Sequence, residues 1–285
     1  KGTEDNRVRK LDYSIQISKL FYERFIKGED ITLFSPHDVP GLYNSFGTES
    51  FDDLYIRYEA DETIKKQTIP AQELFLSLVK ERAETGRIYV MNIDHCNTHS
   101  SFNVPVYMSN LCQEITLPTK PLTHIDDTEG EIALCILSAI NVGKIRNLKD
   151  LDELCDLAVR SLDELIDYQN YPIKAAELAT KKRRSLGIGF IGLAHYFAKN
   201  SVQYSDPEAL RLVHELTEAF QYYLLKSSAI LAGEKGACEG FKETKYALDQ
   251  LPIDHYKKEV DAIAPYEYQL DWDVVRYLIS ESGLW

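Results

Sequence analysis

The sequence predicts an α/β protein in which helices alternate loosely with buried, largely parallel strands. Short runs rich in β-branched and aromatic residues, such as DITLFSP and RIYVMNI, alternate with longer segments whose apolar residues recur at helical spacing. The 285 residues are 44% apolar, which is enough to form a sizeable core. No internal repeat, low-complexity tract or convincing interdomain linker divides the chain, so we treat residues 1–285 as one region.

Several segments have the apolar spacing of helices. The first contains Leu11, Ile15, Ile17, Leu20, Phe21 and Phe25 and is expected to end at Gly28. Others are predicted at about residues 70–85, 148–168, 193–200, 207–231, 252–263 and 271–280. For the helix that starts near residue 207, we expect a capping box formed by Ser205 and Glu208 and a stop at Gly233.

Two further apolar runs, VYMSNLCQEITL and EIALCILSAINV, are predicted to be strands joined by a polar loop. The segment GIGFIG at residues 187–192 fits the glycine pattern of a dinucleotide site, and Asp206 follows at a suitable distance. However, the preceding segment ELATKKRRS is polar and does not resemble a strand. We therefore interpret GIGFIG as a glycine-rich strand that packs closely against its neighbours.

The charge balance disfavours nucleic acid and anionic membranes as main partners. Lys and Arg total 32 against 45 Asp and Glu, which gives a net charge of −13. The best basic cluster, KKRR at residues 181–184, is expected to be a solvated helix end. No apolar run approaches the roughly 18 residues of a membrane span, and no signal-peptide pattern opens the chain. We therefore expect a cytoplasmic protein that does not contact a membrane.

The five cysteines are odd in number and follow no disulfide-framework spacing, which is typical of cytosolic thiols. The chain starts at Lys1 instead of an initiator methionine and stops just after a helix-ending Gly283. These ends are those expected of a piece of a longer protein.

Two other groups of residues have the composition of a site but the wrong context. The segment DHCNTHS offers His95, Cys96 and His99, yet a zinc site would need a fourth ligand and more regular spacing, so a hydrogen-bonded loop is preferred. The pair Tyr222 and Tyr223 is expected to serve packing in a long helix instead of radical transfer.

The segment NLCQEI at residues 110–115 places polar groups at alternate positions of an apolar run. In an extended strand Asn110, Cys112 and Glu114 would share one face, with neighbouring side chains about 6.5–7 Å apart. A thiol that carries a hydrogen atom or electron, a carboxylate base and an orienting amide suit chemistry on a small polar molecule. The alternative is a buried structural cysteine flanked by two polar groups.

Cys135 lies in the second run, which reads as a strand buried on both faces. Structural burial is the default for such a thiol. A redox partner of the site around Cys112 is the functional alternative.

The segments SNLCQEITLPTKPL and GEIALCILSAINVG together resemble the active-site region of the large, catalytic subunit of class I ribonucleotide reductase. The segments RVRKLDYSIQISKLFYERFIKGEDITLFSPHDVPGLY, TGRIYVMNIDHCNTHS and RRSLGIGF also match that family. The resemblance extends over nearly the whole chain. It implies part of a ten-stranded α/β barrel, made of two five-stranded parallel halves, with a central finger loop that carries Cys112.

The resemblance also implies a role for each site residue. Cys112 would form a transient thiyl radical that takes the 3′ hydrogen of a ribonucleoside diphosphate. Glu114 would be the base for the 3′-hydroxyl, and Asn110 would hydrogen-bond the substrate and assist proton transfer. Leu111 would lie with these three in the substrate-binding segment. Cys135 would be one of two thiols that reduce the 2′ carbon and end as a disulfide.

The resemblance further implies partners that the chain itself lacks. The radical would come from a separate iron-containing small subunit, the dithiol reductant would be of the thioredoxin or glutaredoxin type, and the complete large subunit would be a homodimer. No cofactor or metal is expected in this chain. The second reductive cysteine, the allosteric sites, the phosphate loop and the relay tyrosines lie outside the matched segments. The chain alone is therefore expected to be inactive without complementary segments, and the alternative is a non-catalytic remnant or subunit-interaction fragment.

Overall fold

The computed structural model describes residues 11–255, 259, 262, 263 and 265–285, in which helices and strands alternate. The strands are β1 (Tyr13–Ile17), β2 (Asp30–Phe34), β3 (Lys66–Pro70), β4 (Ile88–Asn92), β5 (Ile136–Asn141) and β6 (Leu186–Ile191). The helices are α1 (Lys19–Lys27), α2 (Leu42–Ser45), α3 (Phe51–Ala60), α4 (Ala71–Thr85), α5 (Ile93–His99), α6 (Asp150–Tyr168), α7 (Lys174–Arg183), α8 (Leu193–Lys199), α9 (Pro207–Lys235) and α10 (Trp272–Ser282). The α/β class predicted from the sequence is confirmed.

The chain divides into two compact units, and the boundary falls between Thr119 and Lys120. The sequence did not predict this division, because no composition change marks it. The boundary lies in the polar connection between the two apolar runs, and this connection contains Pro118 and Pro121.

In the first unit, β1 pairs with β4 in parallel and β2 pairs with β3 in antiparallel fashion. The predicted helix from residue 11 to Gly28 is wrong in its first half, where β1 precedes α1. Ile15 and Ile17 face the helices while Gln16 faces away, which is the period-two pattern of a strand. The predicted stop is confirmed, since Gly28 ends α1 in the left-handed region with φ 71°.

In the second unit, β5 and β6 form a parallel pair covered on one face by α6 and α9. Ile140, Ile188 and Phe190 face these helices and pack with Leu151 and Leu216. The prediction that GIGFIG forms a glycine-rich strand is confirmed, because these residues form β6 and the turn that follows it. The polar segment before it is α7.

Helix α9 departs from the predicted ends. Asp206 occupies the N-cap position, so the predicted capping box of Ser205 and Glu208 is wrong, and the Asp206 carboxylate accepts the backbone N–H of Gln203 at 2.8 Å. The helix also continues through Gly233 to Lys235. A Cβ on Gly233 would lie 3.3 Å from Ser282 Oγ, so close packing against α10 favours glycine inside this helix.

The KKRR segment ends α7, but only part of it is solvated. Lys181 is exposed, whereas Arg183 and Arg184 are buried. Arg183 pairs with Glu131, and Arg184 Nε donates to Asp163 Oδ1 at 2.6 Å. The prediction of a solvated helix end is therefore wrong for both arginines, because carboxylates distant in sequence compensate their charge.

Two smaller predictions also differ from the structure. The segment at residues 252–263 begins with the 3-10 helix Pro252–His255 instead of an α-helix, and residues 256–258, 260 and 261 lie outside the described residues. The segment DHCNTHS is not a loop but helix α5, in which the rings of His95 and His99 meet edge to face. Within the described ranges, no helix combines the length and the apolar character that crossing a membrane requires.

Candidate active site

Cys112 lies on a tight turn in an irregular segment that covers residues 105–119. The backbone N–H of Gln113 donates to the carbonyl of Asn110 at 3.1 Å, which closes the turn around Leu111 and Cys112. Gln113 has φ 66°, a left-handed conformation that an extended strand cannot contain. The predicted strand is therefore wrong here, and the alternation that placed Asn110, Cys112 and Glu114 on one face does not hold.

The Asn110 side chain stabilises this turn from within. Its Oδ1 accepts the backbone N–H of Ile115 at 3.0 Å, and its backbone carbonyl also accepts the Ser109 hydroxyl at 3.0 Å. Both oxygens of Asn110 thus hold the segment on either side of Cys112. The amide is a structural element of the loop as well as a candidate for substrate contact.

The loop is anchored by two amide side chains that the sequence reading missed. Asn97 Nδ2 donates to the Val106 carbonyl at 3.0 Å, and Asn97 Oδ1 accepts the Val106 N–H at 2.7 Å. Gln16 Nε2 donates to the Tyr107 carbonyl at 2.6 Å. Val106 itself is fully buried against Met91. Asn97 lies in DHCNTHS beside the potential metal ligands His95, Cys96 and His99, but its hydrogen-bond partner Val106 is set by the fold and not by a local motif.

The reactive groups of the loop are accessible, whereas its anchors Gln16 and Asn97 are half-buried and Val106 is buried. Leu111, Cys112 and Glu114 are exposed, and Asn110 is half-buried. Gln113 turns inward and lines a cavity of about 430 Å³ together with Tyr22, Phe75, Leu78, Val79, Arg82, Tyr89 and Val90. The turn therefore presents a thiol and a carboxylate outward from a fixed base.

Cys135 lies in the second unit, directly before β5, and is half-buried. The prediction of a strand buried on both faces is wrong. Ile140 faces the helices, whereas Leu137 on the opposite face is 59% exposed. By the alternation of the strand, Cys135 shares the face of Leu137, away from α6 and α9.

The other cysteines have the environments of structural thiols. None of the five, all of which the structure describes, forms a disulfide. Burial raises the pKa of Cys96 and of Cys238, and it raises the pKa of the fully buried Cys155 to about 12. A raised pKa keeps these three thiols protonated and makes them poor nucleophiles.

The Tyr222 and Tyr223 pair fits the packing role predicted for it. Tyr222 is buried, and its ring meets Trp272 edge to face at 5.5 Å between centroids. Among the described residues no cluster of His, Cys, Asp or Glu has the arrangement of a metal site.

The family model described as "Ribonucleotide reductase, barrel domain" matches residues 1–285. The chain belongs to this family. Curated relatives agree with it. The chain is 58% identical to the ribonucleoside-diphosphate reductase subunit alpha of Haemophilus influenzae and 56% identical to the ribonucleoside-diphosphate reductase 1 subunit alpha of Escherichia coli. It is 43% identical to the subunit alpha of Enterobacteria phage T4.

Each of these matches covers 100% of this chain and 38% of the relative's length. The chain therefore spans less than half the length of the relatives it matches. Its three strand pairs, two of them parallel, are consistent with part of an α/β barrel and do not close one within the described residues.

Proposed function

We propose that this chain is the central part of the large subunit of a class I ribonucleoside-diphosphate reductase, which converts ribonucleoside diphosphates into deoxyribonucleoside diphosphates. The observation that carries the proposal is the match of the barrel-domain family over the whole chain, with relatives named for this activity. The accessible thiol of Cys112 on its fixed turn supplies the group that such a reaction needs.

In this proposal Cys112 becomes a thiyl radical and takes the 3′ hydrogen atom of the substrate, which leaves a thiol and a 3′ carbon radical. Glu114 takes the proton of the 3′-hydroxyl, and Asn110 and Leu111 lie against the ribose. Cys135 and a second thiol supply two electrons and two protons and become a disulfide. One proton joins the 2′-hydroxyl, which leaves as water, and the other proton with the two electrons becomes the new hydrogen on the 2′ carbon. Glu114 returns its proton to the 3′ oxygen, and return of the 3′ hydrogen atom from the Cys112 thiol restores the thiyl radical.

The face on which Cys135 lies supports this role. Helices cover one face of the β5–β6 pair, and the other face carries the exposed apolar residues Leu137 and Ile191. Parallel sheets are normally covered on both faces or closed into barrels, so an apolar face that stays exposed among the described residues fits the inside of a barrel. A reductive thiol on that face would point toward an enclosed substrate.

The proposal requires partners. A small subunit that contains iron would generate the radical, and a dithiol protein of the thioredoxin or glutaredoxin type would reduce the disulfide. The large subunit would act as a homodimer in the cytoplasm. The second reductive thiol and the remaining barrel would come from complementary segments of the large subunit, since this chain spans 38% of its relatives' length.

The deciding experiment is reduction of a radiolabelled ribonucleoside diphosphate by the chain reassembled with the complementary large-subunit segments and the small subunit. Cys112→Ser should abolish turnover with substrate binding retained. The matched control Cys96→Ser, which changes a half-buried thiol without an assigned role, should keep activity within about twofold.

Normal turnover by Cys112→Ser would refute the proposal. A wild-type assembly in which the chain binds the other segments but no substrate is reduced would favour a subunit-interaction fragment. Substantial activity of the 285 residues alone would contradict the need for complementary segments.

A further inference from the structure

The glycine at position 187 leaves the space in which the Cys135 thiol lies. Gly187 is in β6, paired with Leu137 of β5. A Cβ built on Gly187 would lie 2.4 Å from Leu137 Cδ2 and 2.9 Å from Cys135 Sγ. Both distances are well below the roughly 3.5–4.0 Å of a normal contact between such atoms. A side chain at this position therefore cannot coexist with the present place of the thiol.

The same strand contains a glycine without this property. Gly189 lies two residues further on the same face of β6, and a Cβ there would have no atom within 4 Å. Neither glycine has the positive φ that would itself favour glycine. The difference between the two positions is therefore one of space, and the contacts shorter than 3 Å are those with Leu137 and Cys135.

We propose that Gly187 is a positioning residue for the redox thiol of Cys135. Because Gly187 has no side chain, the Cys135 sulfur can lie beside β6 on the face away from the helices. The proposal rests on the function proposed above, because that function is what makes the location of the Cys135 sulfur important. The geometry itself is independent of it, because it depends on Gly187, Leu137 and Cys135 alone.

The direction of the effect follows from the two neighbours. Leu137 is 59% exposed and can rotate into solvent at little cost. Cys135 has a single rotatable side-chain bond, so a methyl group at position 187 must turn Sγ away from β6. The exposed Leu137 and Ile191 show that this face of the β5–β6 pair is open to solvent, so a displaced Sγ moves toward solvent. Gly187→Ala should therefore make the thiol more accessible.

Alkylation of the folded 285-residue chain with N-ethylmaleimide, followed by peptide mass spectrometry, measures this accessibility. Gly187→Ala should raise the alkylation rate of Cys135 by about fivefold or more, while Gly189→Ala leaves it within about twofold. The buried Cys155 reports on folding and should remain protected in both variants. Equal rates for Gly187→Ala and the wild type would overturn the proposal.

A double-mutant cycle keeps the test valid if Gly187→Ala lowers stability. The loss of melting temperature in Gly187→Ala should be largely recovered in Cys135→Ala with Gly187→Ala, since removal of Sγ makes room for the new methyl group. Leu137→Ala with Gly187→Ala relieves the other close contact and should leave the alkylation rate of Cys135 raised. Purely additive effects of Gly187→Ala and Cys135→Ala would overturn the proposal.

In the reassembled reductase, Gly187→Ala should lower kcat about tenfold or more at unchanged KM, whereas Gly189→Ala retains kcat within about twofold. A changed alkylation rate with an unchanged kcat would refute the positioning role. An inactive wild-type assembly would instead count against the proposed function, and the alkylation and melting measurements would still decide the contact between Gly187 and Cys135.

Discussion

The side-chain oxygen of Asn110 accepts the backbone N–H of Ile115 at 3.0 Å, and this hydrogen bond spans the turn that carries Cys112. The amide that was expected to contact substrate is thus already engaged in shaping the loop. Asn110 can serve both purposes, because an amide offers two N–H donors besides its oxygen. This division makes the two roles separable by substitution.

Asn110→Ala should loosen the turn, whereas Asn110→Asp should preserve it, because a carboxylate also accepts the Ile115 N–H. A hydrogen bond of this kind contributes about 1 kcal/mol, so hydrogen exchange at the Ile115 amide should accelerate about fivefold in Asn110→Ala. The same amide should keep its protection in Asn110→Asp. Equal exchange rates in both variants would show that the side chain does not hold the turn. In the reassembled reductase, loss of turnover in Asn110→Asp with the protection intact would assign the amide N–H groups to catalysis.

The left-handed conformation of Gln113 should make the loop sensitive to β-branched residues. Gln113→Val places a branched side chain at φ 66° and should cost about 1–2 kcal/mol of unfolding free energy. Gln113→Asn tolerates this conformation and should stay within about 0.5 kcal/mol of the wild type. Urea denaturation measures both.

The same Gln to Val replacement at Gln67 is the matched control. Gln67 is exposed in strand β3, where a branched side chain is favoured, so Gln67→Val should not destabilise the chain. Equal losses at positions 67 and 113 would contradict an effect of backbone conformation.

The sequence predicted the long elements of the fold well and the site loop poorly, for one physical reason. Helix α6 and strands β2 and β4 have strong local patterns, and they occur within about two residues of their predicted places. The NLCQEI segment has the alternation of a strand, yet no strand among the described residues pairs with it, and Gln113 and Asn110 fold it into a turn. A pattern of alternating polarity fixes a strand only where a partner supplies hydrogen bonds.

The burial of Arg183 and Arg184 shows the same limit. Local sequence places both at a helix end, which is usually solvated. Their burial depends on Glu131 and Asp163, which lie 52 and 21 residues away in the chain. The residues of the proposed chemistry were found because their motif resembles a family, whereas Gln16 and Asn97, which anchor the loop, have no such motif.

Two aspartates on helix α6 should differ strongly in their contribution to stability. Asp163 and Asp167 both bind Arg184, but their side chains are 1% and 52% exposed. Asp163 also accepts Lys235 Nζ at 2.6 Å and the indole N–H of Trp285. Asp163→Ala should lower the free energy of unfolding by about 3–5 kcal/mol, because it takes the buried carboxylate away from the buried guanidinium of Arg184 and leaves that cation with the exposed Asp167.

Asp167→Ala removes a carboxylate from the same arginine in a solvated position and should cost about 0–1 kcal/mol. Urea denaturation of the two variants beside the wild type provides the comparison. Similar losses in both variants would show that burial does not decide the contribution of this ion-pair cluster.

The buried thiol of Cys155 should make the chain less stable at alkaline pH. Burial and the nearby Asp152 carboxylate raise the pKa of Cys155 from 9.0 to about 12 in the folded chain. Below pH 9 the thiol is protonated in both states and has no effect on the pH dependence. Between pH 9 and 12 the unfolded chain loses this proton while the folded chain keeps it, so the free energy of unfolding falls as pH rises.

Cys155→Ala lacks the titrating group, so its loss of stability from the cavity should be the same at every pH. From pH 8 to pH 10 the wild type should therefore lose about 1.4 kcal/mol more than Cys155→Ala in urea denaturation. Parallel pH profiles of the two proteins would show that Cys155 ionises in the folded chain as readily as in the unfolded one.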